Sequence, residues 1–340
     1  MSEPVIEARG LGVTYSYRRG FRRRRLTAVE DVTLSVSRGE TLAIVGESGS
    51  GKSTLARALL RLERPSAGRI LFEGRDITAL PERELRPLRA RMQMVFQDPY
   101  TSLNPARTVG RIIADAIAVH EGRGSDLDAR VAEALSAVGL EPAHAARRPH
   151  AFSGGQRQRI GLARALAPGP ALVVADEPVS ALDVSVQAQI INLMADLQET
   201  RRLSYVFIAH DLGLVRQIAS RVAVMYLGRI VETAPAEALY ARPMHPYTDA
   251  LLSVQPVPER RTDRRRVVLS GDLPSPLAPP PGCAFHTRCP VAQPVCQRVR
   301  PPLIDHGQGR HLACHFPLNA DTAAAERARA GSAEEKKEVT

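Results

Sequence analysis

Tryptophan is absent and only 4% of the 340 residues are aromatic, which leaves little material for a base-stacking nucleic-acid platform. Cysteine is scarce too. Four in the whole chain are too few for the disulfide scaffold of a secreted protein this size. No stretch approaches the roughly 18–20 continuous apolar residues of a membrane-spanning helix. The opening MSEPVIEARG has acids where a secretory signal has a basic start and an apolar core. These absences predict a soluble protein of a reducing compartment. The rest is ordinary for a globular chain, with 44% hydrophobic and 24% charged residues, 24 Gly and 26 Pro, so wholesale disorder and fibrous classes are excluded. At roughly 150 residues per domain the length suggests about two domains.

The net charge is +10, and much of the excess sits in Arg18–Arg25, Arg260–Arg266 and the pair Arg147 and Arg148. The first two runs lack periodicity and are predicted to be solvated loops, with a phosphate or anionic-lipid contact as the competing reading.

Residues 1 to about 96 alternate short apolar runs with turns (VIEARGLGVTY, VTLSV, ETLAIVG, RILFEG), the pattern of strands. A helix is predicted over Ser53–Leu62, and GRIIADAIAVH and DARVAEALSAVGL have helical spacing. ALVVA at 171–175 is a continuous apolar run, the mark of a strand buried on both faces. Next come a helix (VSVQAQIINLMADLQET), a strand (YVFIAH), a helix (GLVRQIA) and two strands in RVAVMYLGRIVETA. Alternating strand and helix implies parallel pairing with right-handed crossovers, hence an α/β core. Beyond about Pro256 the texture turns Pro- and Arg-rich and then carries all four cysteines, which predicts a separate C-terminal module. Residues 321–340, rich in Ala and charge, are predicted to be a disordered tail.

The strongest motif is Gly46-Glu47-Ser48-Gly49-Ser50-Gly51-Lys52-Ser53, a G-x-x-x-x-G-K-S between an apolar strand and a helix. Glycines let backbone N–H groups converge on phosphate oxygens, and the helix N-terminus adds the positive end of its dipole. Lys52 is expected to reach the β- and γ-phosphates and Ser53 to ligate Mg²⁺. Thr54 supplies the next hydroxyl, for the α-phosphate. The run ALVVADEP ends in two acids at the carboxyl end of a strand, where open α/β sheets bind ligands. Asp176 is expected to hold Mg²⁺ through water, and Glu177 to act as general base toward the attacking water. An acid in that place argues for a Mg-dependent ATPase rather than a GTPase that uses Gln.

Phe152-Ser153-Gly154-Gly155-Gln156 resembles the signature of ABC ATPases, with Phe where Leu is commonest. Val95-Phe96-Gln97-Asp98 resembles the Q-loop, Ser180-Ala181-Leu182-Asp183 the D-loop, and Ala209-His210-Asp211 the switch histidine. Six such motifs stand in family order across residues 5–232. The resemblance implies a P-loop ABC core over 1–97 and 157–250, with an antiparallel N-terminal β portion. It also implies a helical subdomain over 98–156 and a C-terminal transporter module over 251–320. Ser153, Gly154, Gly155 and Gln156 would face the ATP of a second subunit, so hydrolysis requires a dimer, with Asp183 at the seam. Gln97 would sense Mg²⁺ and the attacking water. His210 would bond the γ-phosphate and position the base. Tyr15 resembles the aromatic that stacks on adenine, with Tyr17 as its rival.

Longer runs (FQDPYTSLNP, DEPVSALDVSVQAQ, HPYTDALLSVQPVP and GDLPSPLAPPPGCAFHTRCP) resemble the F-type ATP-binding subunits of oligopeptide/dipeptide importers. That family implies a D-type ATPase partner in a heterodimer, two membrane permeases and an extracytoplasmic binding protein. It implies a peripheral place on the cytoplasmic face of the inner membrane, with no nucleic acid. Nickel or another small solute is the alternative cargo. A soluble ABC ATPase acting on ribosomes or DNA is a distant rival, disfavoured by the single ATPase half and the lack of a large insert before the signature.

Cys283, Cys289, Cys296 and Cys314 follow C-x5-C-x6-C-x17-C. Clustering in a segment too small for its own core predicts a metal staple. The spacing lacks the paired C-x2-C of common zinc ribbons, and four thiolates also suit an iron–sulfur cluster. The importer resemblance favours a structural [4Fe–4S] cluster, with Zn²⁺ as the alternative and His286, His311 and His315 as substitute zinc ligands.

Overall fold

A computed structural model of the chain describes residues 3–19, 22–98, 102–121, 126–254 and 273–319. The second arginine run and the C-terminal tail lie outside the described residues. The chain opens with two long strands, β1 (Pro4–Arg19) and β2 (Arg22–Ser37), followed by β3 (Thr41–Val45) and α1 (Lys52–Leu59). Next come β4 (Ala67–Phe72), β5 (Arg75–Asp76), α2 (Glu82–Arg89) and β6 (Met92–Val95). A helical stretch holds α3 (Val109–Glu121), α4 (Leu127–Ala137) and α5 (Gly154–Leu166). The core resumes with β7 (Leu172–Asp176), α6 (Val184–Arg201), β8 (Ser204–Ala209), α7 (Leu212–Ile218), β9 (Arg221–Tyr226) and β10 (Arg229–Pro235). The C-terminal part contributes α8 (Ala236–Ala241), α9 (Pro246–Ser253), α10 (Pro294–Arg298), β11 (Ile304–Asp305) and β12 (His311–Leu312).

Among the described residues two sheets form. The smaller is antiparallel, in the order β2-β1-β4-β5, and the larger runs β11-β12-β10-β9-β3-β8-β7-β6. In the larger sheet β9, β3, β8, β7 and β6 are all parallel. Their runs are continuously apolar because both faces are covered. In β3, Leu42 and Ile44 enter the core shared with the smaller sheet. Ala43 and Val45 enter the core shared with α3, α5 and α6. In β7, Leu172 and Val174 go to the first core, Val173 and Ala175 to the second. A side-chain period of two thus serves two cores at once.

Within the run Arg18–Arg25, the described residues Arg18–Arg19 and Arg22–Arg25 are strand rather than loop. They form the end of the β1–β2 hairpin, with Tyr17 opposite Arg24 and Arg18 opposite Arg23. Cross-strand pairing needs only backbone groups, so hydropathy periodicity is silent where both faces meet water. The C-terminal segment shares the main core. β12 pairs with β10 through Glu232↔Leu312 and Thr233↔His311, and Phe285 is fully buried in the cluster containing Tyr226 and Tyr247. Glu232, 1% exposed, fastens the joint by accepting the N–H groups of Met244 and His245, both at 2.9 Å, and a guanidinium N–H of Arg310. No helix among the described residues is long and apolar enough to cross a membrane.

Candidate functional site

The carboxyl ends of β3, β8, β7 and β6 stand in a row, because those strands are adjacent and parallel. The row brings together four segments that are far apart in sequence: the loop 46–52, His210, Asp176 with Glu177, and Gln97. That edge is where parallel α/β sheets gather ligands.

The loop after β3 wraps onto α1. Gly51, at φ 103°, is the N-cap of α1 and offers no side-chain cap, so the first N–H groups of the helix stay available to an anion. A Cβ at Gly51 would lie 2.2 Å from the Ala28 carbonyl, and one at Gly46 would lie 2.2 Å from that of Met225. Only glycine fits so close to backbone. Lys52 is buried and donates to the carbonyls of Gly46 (2.8 Å) and Glu47 (2.9 Å). Burial lowers the Lys52 pKa, while the charges of Glu177, Asp176 and Glu47 oppose that shift. Ser50 is buried, whereas Ser48 and Gly49 are exposed at the loop tip.

Ser53 Oγ donates to Asp176 Oδ1 at 2.9 Å, joining the loop to the end of β7. Asp176 is 4% exposed, and its pKa is raised chiefly by burial. A buried carboxylate beside a hydroxyl suits a hard divalent cation, which would supply the missing positive charge. The residues fit Mg²⁺.

Glu177 adopts φ +46°, a left-handed conformation that strains a non-glycine residue and is typical of functional sites. Its N–H donates to Ile208 O at 3.0 Å. Two of the residues singled out in the sequence meet on one of its oxygens, although only His210 was expected to position Glu177. Gln97 Nε2 donates to Glu177 Oε2 at 3.1 Å, and His210 Nδ1 lies 3.2 Å from the same atom. Tyr15 is half-buried against the smaller sheet's core. Burial raises its hydroxyl pKa, with Thr54 as a hydrogen-bonding neighbour that opposes the shift. The neighbour thus lies on α1, next to the phosphate loop.

Ser153 caps α5 in a reciprocal box. Its Oγ accepts the Gln156 N–H at 3.3 Å, and Gln156 Oε1 accepts the Ser153 N–H at 3.0 Å. A Cβ at Gly155 would lie 2.5 Å from Val186 Cγ1, and one at Gly154 would lie 3.3 Å from Leu182. The signature is therefore packed on the segment running through Asp183, the N-cap of α6. Phe152 is buried, edge-on to His144 and under the Arg147 guanidinium.

All four cysteines are free thiols and line one small cavity with Phe285, His286, His315 and His245. His311 lies instead in β12, opposite Thr233. Among the described residues no group of three or more His, Cys, Asp or Glu side chains is arranged to hold a metal ion. Burial pushes the Cys314 thiol up to about 12 and raises Cys283 and Cys289. His245 opens the run HPYTDALLSVQPVP, which carried the family resemblance but gave this residue no role. It is buried, its Nδ1 accepts the Tyr247 N–H at 3.0 Å, and burial pushes its pKa down to about 3. Tyr247 stands in the same run and Arg288 in GDLPSPLAPPPGCAFHTRCP, but neither run indicated that these residues hold Glu47 of the phosphate loop. Their partners are some 200 positions away or more, beyond the reach of a local pattern.

Comparison with known proteins gives a consistent picture. The family model described as "ABC transporter" matches residues 29–180, and that described as "Oligopeptide/dipeptide transporter, C-terminal region" matches 231–296. The chain is 51% identical over 329 residues to a probable peptide ABC transporter ATP-binding protein, y4tS, of Sinorhizobium fredii, covering 96% of this chain and 93% of that one. It is 51% identical over 321 residues to the oligopeptide transport ATP-binding protein AppF of Bacillus subtilis, covering 92% and 98%. Among solved structures, the dimeric post-hydrolysis state of the ATP-binding cassette MJ0796 with ADP and Pi matches at TM-score 0.60 and 29% identity, over 68% of this chain and 98% of that one. The cassette cbiO1 of Clostridium perfringens matches at TM-score 0.62 and 28% identity, over 71% and 92%.

Proposed function

The chain belongs to the ATP-binding subunits of the oligopeptide/dipeptide ABC transporter family, and from that premise we propose that it hydrolyses ATP to power peptide import across the cytoplasmic membrane. It is an ABC ATPase. The observation that carries the mechanism is the meeting of Gln97 and His210 on one oxygen of Glu177, beside the loop of Lys52. In this reading Gly46–Gly51 and Lys52 cradle the phosphates, and Ser53, Asp176 and Gln97 would hold Mg²⁺, which when bound would supply positive charge against the phosphates. Glu177 takes the proton of the attacking water, and His210 orients that carboxylate and the γ-phosphate. Thr54 lies toward the α-phosphate, and Tyr15 stacks on adenine.

The signature residues Ser153–Gln156 serve the ATP of a second ATPase subunit, of D type, with Asp183 at the seam. The capping box takes up the N–H groups of Ser153 and Gln156, so those of Gly154 and Gly155 are the ones assigned to a partner's phosphate. Two permeases and an extracytoplasmic binding protein complete the assembly, with this chain peripheral on the cytoplasmic face. The C-terminal region model and the names of the relatives support peptide as cargo.

The four cysteines are proposed as ligands of an iron–sulfur cluster. What supports the reading is that all four thiols line one small cavity; four thiolates would suit an iron–sulfur cluster, with Zn²⁺ as the alternative. The cluster would act as a structural staple, with iron and sulfide content of anaerobically purified protein as the check.

The function is tested by isolating tagged Glu177→Gln protein from gently solubilised native membranes with ATP present. Two multi-span permeases and a second ABC ATPase are expected alongside it. A nickel-binding partner would change the cargo, whereas ribosomal proteins or nucleic acid would overturn transport.

A further inference from the structure

The segment between the first two cysteines reaches the phosphate loop. Arg288, next to Cys289, donates through Nη1 to Glu47 Oε2 at 2.6 Å and through Nη2 to Glu47 Oε1 at 2.9 Å. This is a two-pronged pair, with the Arg288 side chain only 7% exposed and Glu47 28% exposed. Such forked, charge-assisted contacts fix orientation as well as charge. The next contacts are equally specific. The Glu47 N–H donates to Tyr247 Oη at 2.8 Å, and the Glu47 carbonyl accepts from Lys52 Nζ at 2.9 Å. Tyr247 packs edge-on to Tyr226, with ring centroids 4.7 Å apart, and both rings lie 5.3 Å from Phe285. Phe285 is two residues past Cys283, and its carbonyl accepts the Arg288 N–H at 3.0 Å. A continuous chain of contacts therefore runs from the cysteine segment, through Arg288 and Glu47, to Lys52.

An acid in a loop that must receive a polyphosphate is an electrostatic liability, since like charges at close range in a partly buried site repel strongly. Arg288 cancels that charge and holds the carboxylate in one place. We propose that Arg288 is a positioning residue of the ATP site, and that the four-cysteine module sets nucleotide affinity through the Arg288–Glu47 pair. The inference rests on the ATP-site reading above. It makes the module a determinant of nucleotide binding as well as a staple.

The test is equilibrium binding of a fluorescent ATP analogue with Mg²⁺ to the purified full-length chain, with melting recorded for each variant. Arg288→Ala is expected to weaken binding about tenfold, within the usual range of coupling between sites. Added salt should narrow the deficit, because the cause is an unpaired Glu47 charge. Glu47→Gln in the Arg288→Ala background should restore most of the affinity, a rescue that lost packing alone would not give. Arg288→Lys, which keeps charge but not the fork, should fall between wild type and Arg288→Ala. Cys289→Ser should weaken binding in the wild-type background and add nothing in the Arg288→Ala background. Unchanged affinity in Arg288→Ala, or no rescue by Glu47→Gln, overturns the positioning role. Full additivity of Cys289→Ser with Arg288→Ala overturns the link to the module. A wild-type chain that does not bind the analogue removes the ATP-site reading and this inference together.

Discussion

Glu177 makes two predictions that separate its chemistry from its backbone. Glu177→Gln preserves the size of the side chain and the N–H bond to Ile208 O, but an amide cannot accept the proton of the attacking water. Losing a positioned general base costs about 10²–10⁴-fold in turnover, while the phosphate loop, held by other residues, should bind nucleotide as before. The backbone adds a second, independent reading. At φ +46° any residue with a Cβ stores about 1–2 kcal/mol that glycine does not, against roughly 0.4–1 kcal/mol for glycine's freer unfolded state. Comparing Glu177→Gly with Glu177→Ala removes the side chain and its bond to Gln97 in both. The glycine variant should then be the more stable by about 1 kcal/mol, or about 1–2 °C in Tm for a chain of 340 residues. Phosphate release in the assembled transporter measures the first prediction, and calorimetry of the purified chain the second. Undiminished turnover in Glu177→Gln would remove Glu177 as the base. An alanine variant as stable as the glycine variant would remove the strained backbone.

Lys52→Ala should abolish tight ATP binding, since it deletes the buried ammonium at the loop; fluorescent-nucleotide titration checks this. Asp176→Asn should raise the Tm of the nucleotide-free chain at neutral pH and erase Mg²⁺-dependent stabilisation by ATP. The sign follows from burial, which raises the Asp176 pKa in the folded state. Its contribution is therefore most favourable below the ordinary carboxylate range and is lost as pH rises through the folded value, so the gain from Asn should vanish in acid. Glu232→Ala should cost about 3–5 kcal/mol by leaving Arg310 and two backbone N–H groups without their buried partner, with early loss of protection in 311–312 by hydrogen exchange. Replacing any two of the four cysteines should lower the melting temperature and the iron content together; unchanged values would remove the staple.

The parallel core was legible because its strands carry unbroken apolar runs, and TLAIV and LVVAD lie close to where the sequence pattern placed them. The Arg18–Arg25 hairpin was not legible, because a solvated strand pair has no apolar face to betray it. The joining of β12 to β10 escaped for a related reason. Two-residue strands have no period, and pairing across almost eighty positions is a property of the fold.

Local chemistry determined what could be read from the sequence alone: the phosphate loop, the acidic strand end, the signature cap and the cysteine set. In the first three, the residue types and their short spacing already encode the geometry, because glycine turns, acids at a strand end and helix N-caps act within a few residues. The tertiary structure decided which of those pieces meet. Strand order alone sets Gln97, Glu177, His210 and Lys52 side by side. The packing of Phe285 against Tyr226 and Tyr247 alone carries Arg288 to Glu47. Side chains separated by 80 or 241 positions have no common local pattern, so their meeting is fixed by which surfaces the core must bury.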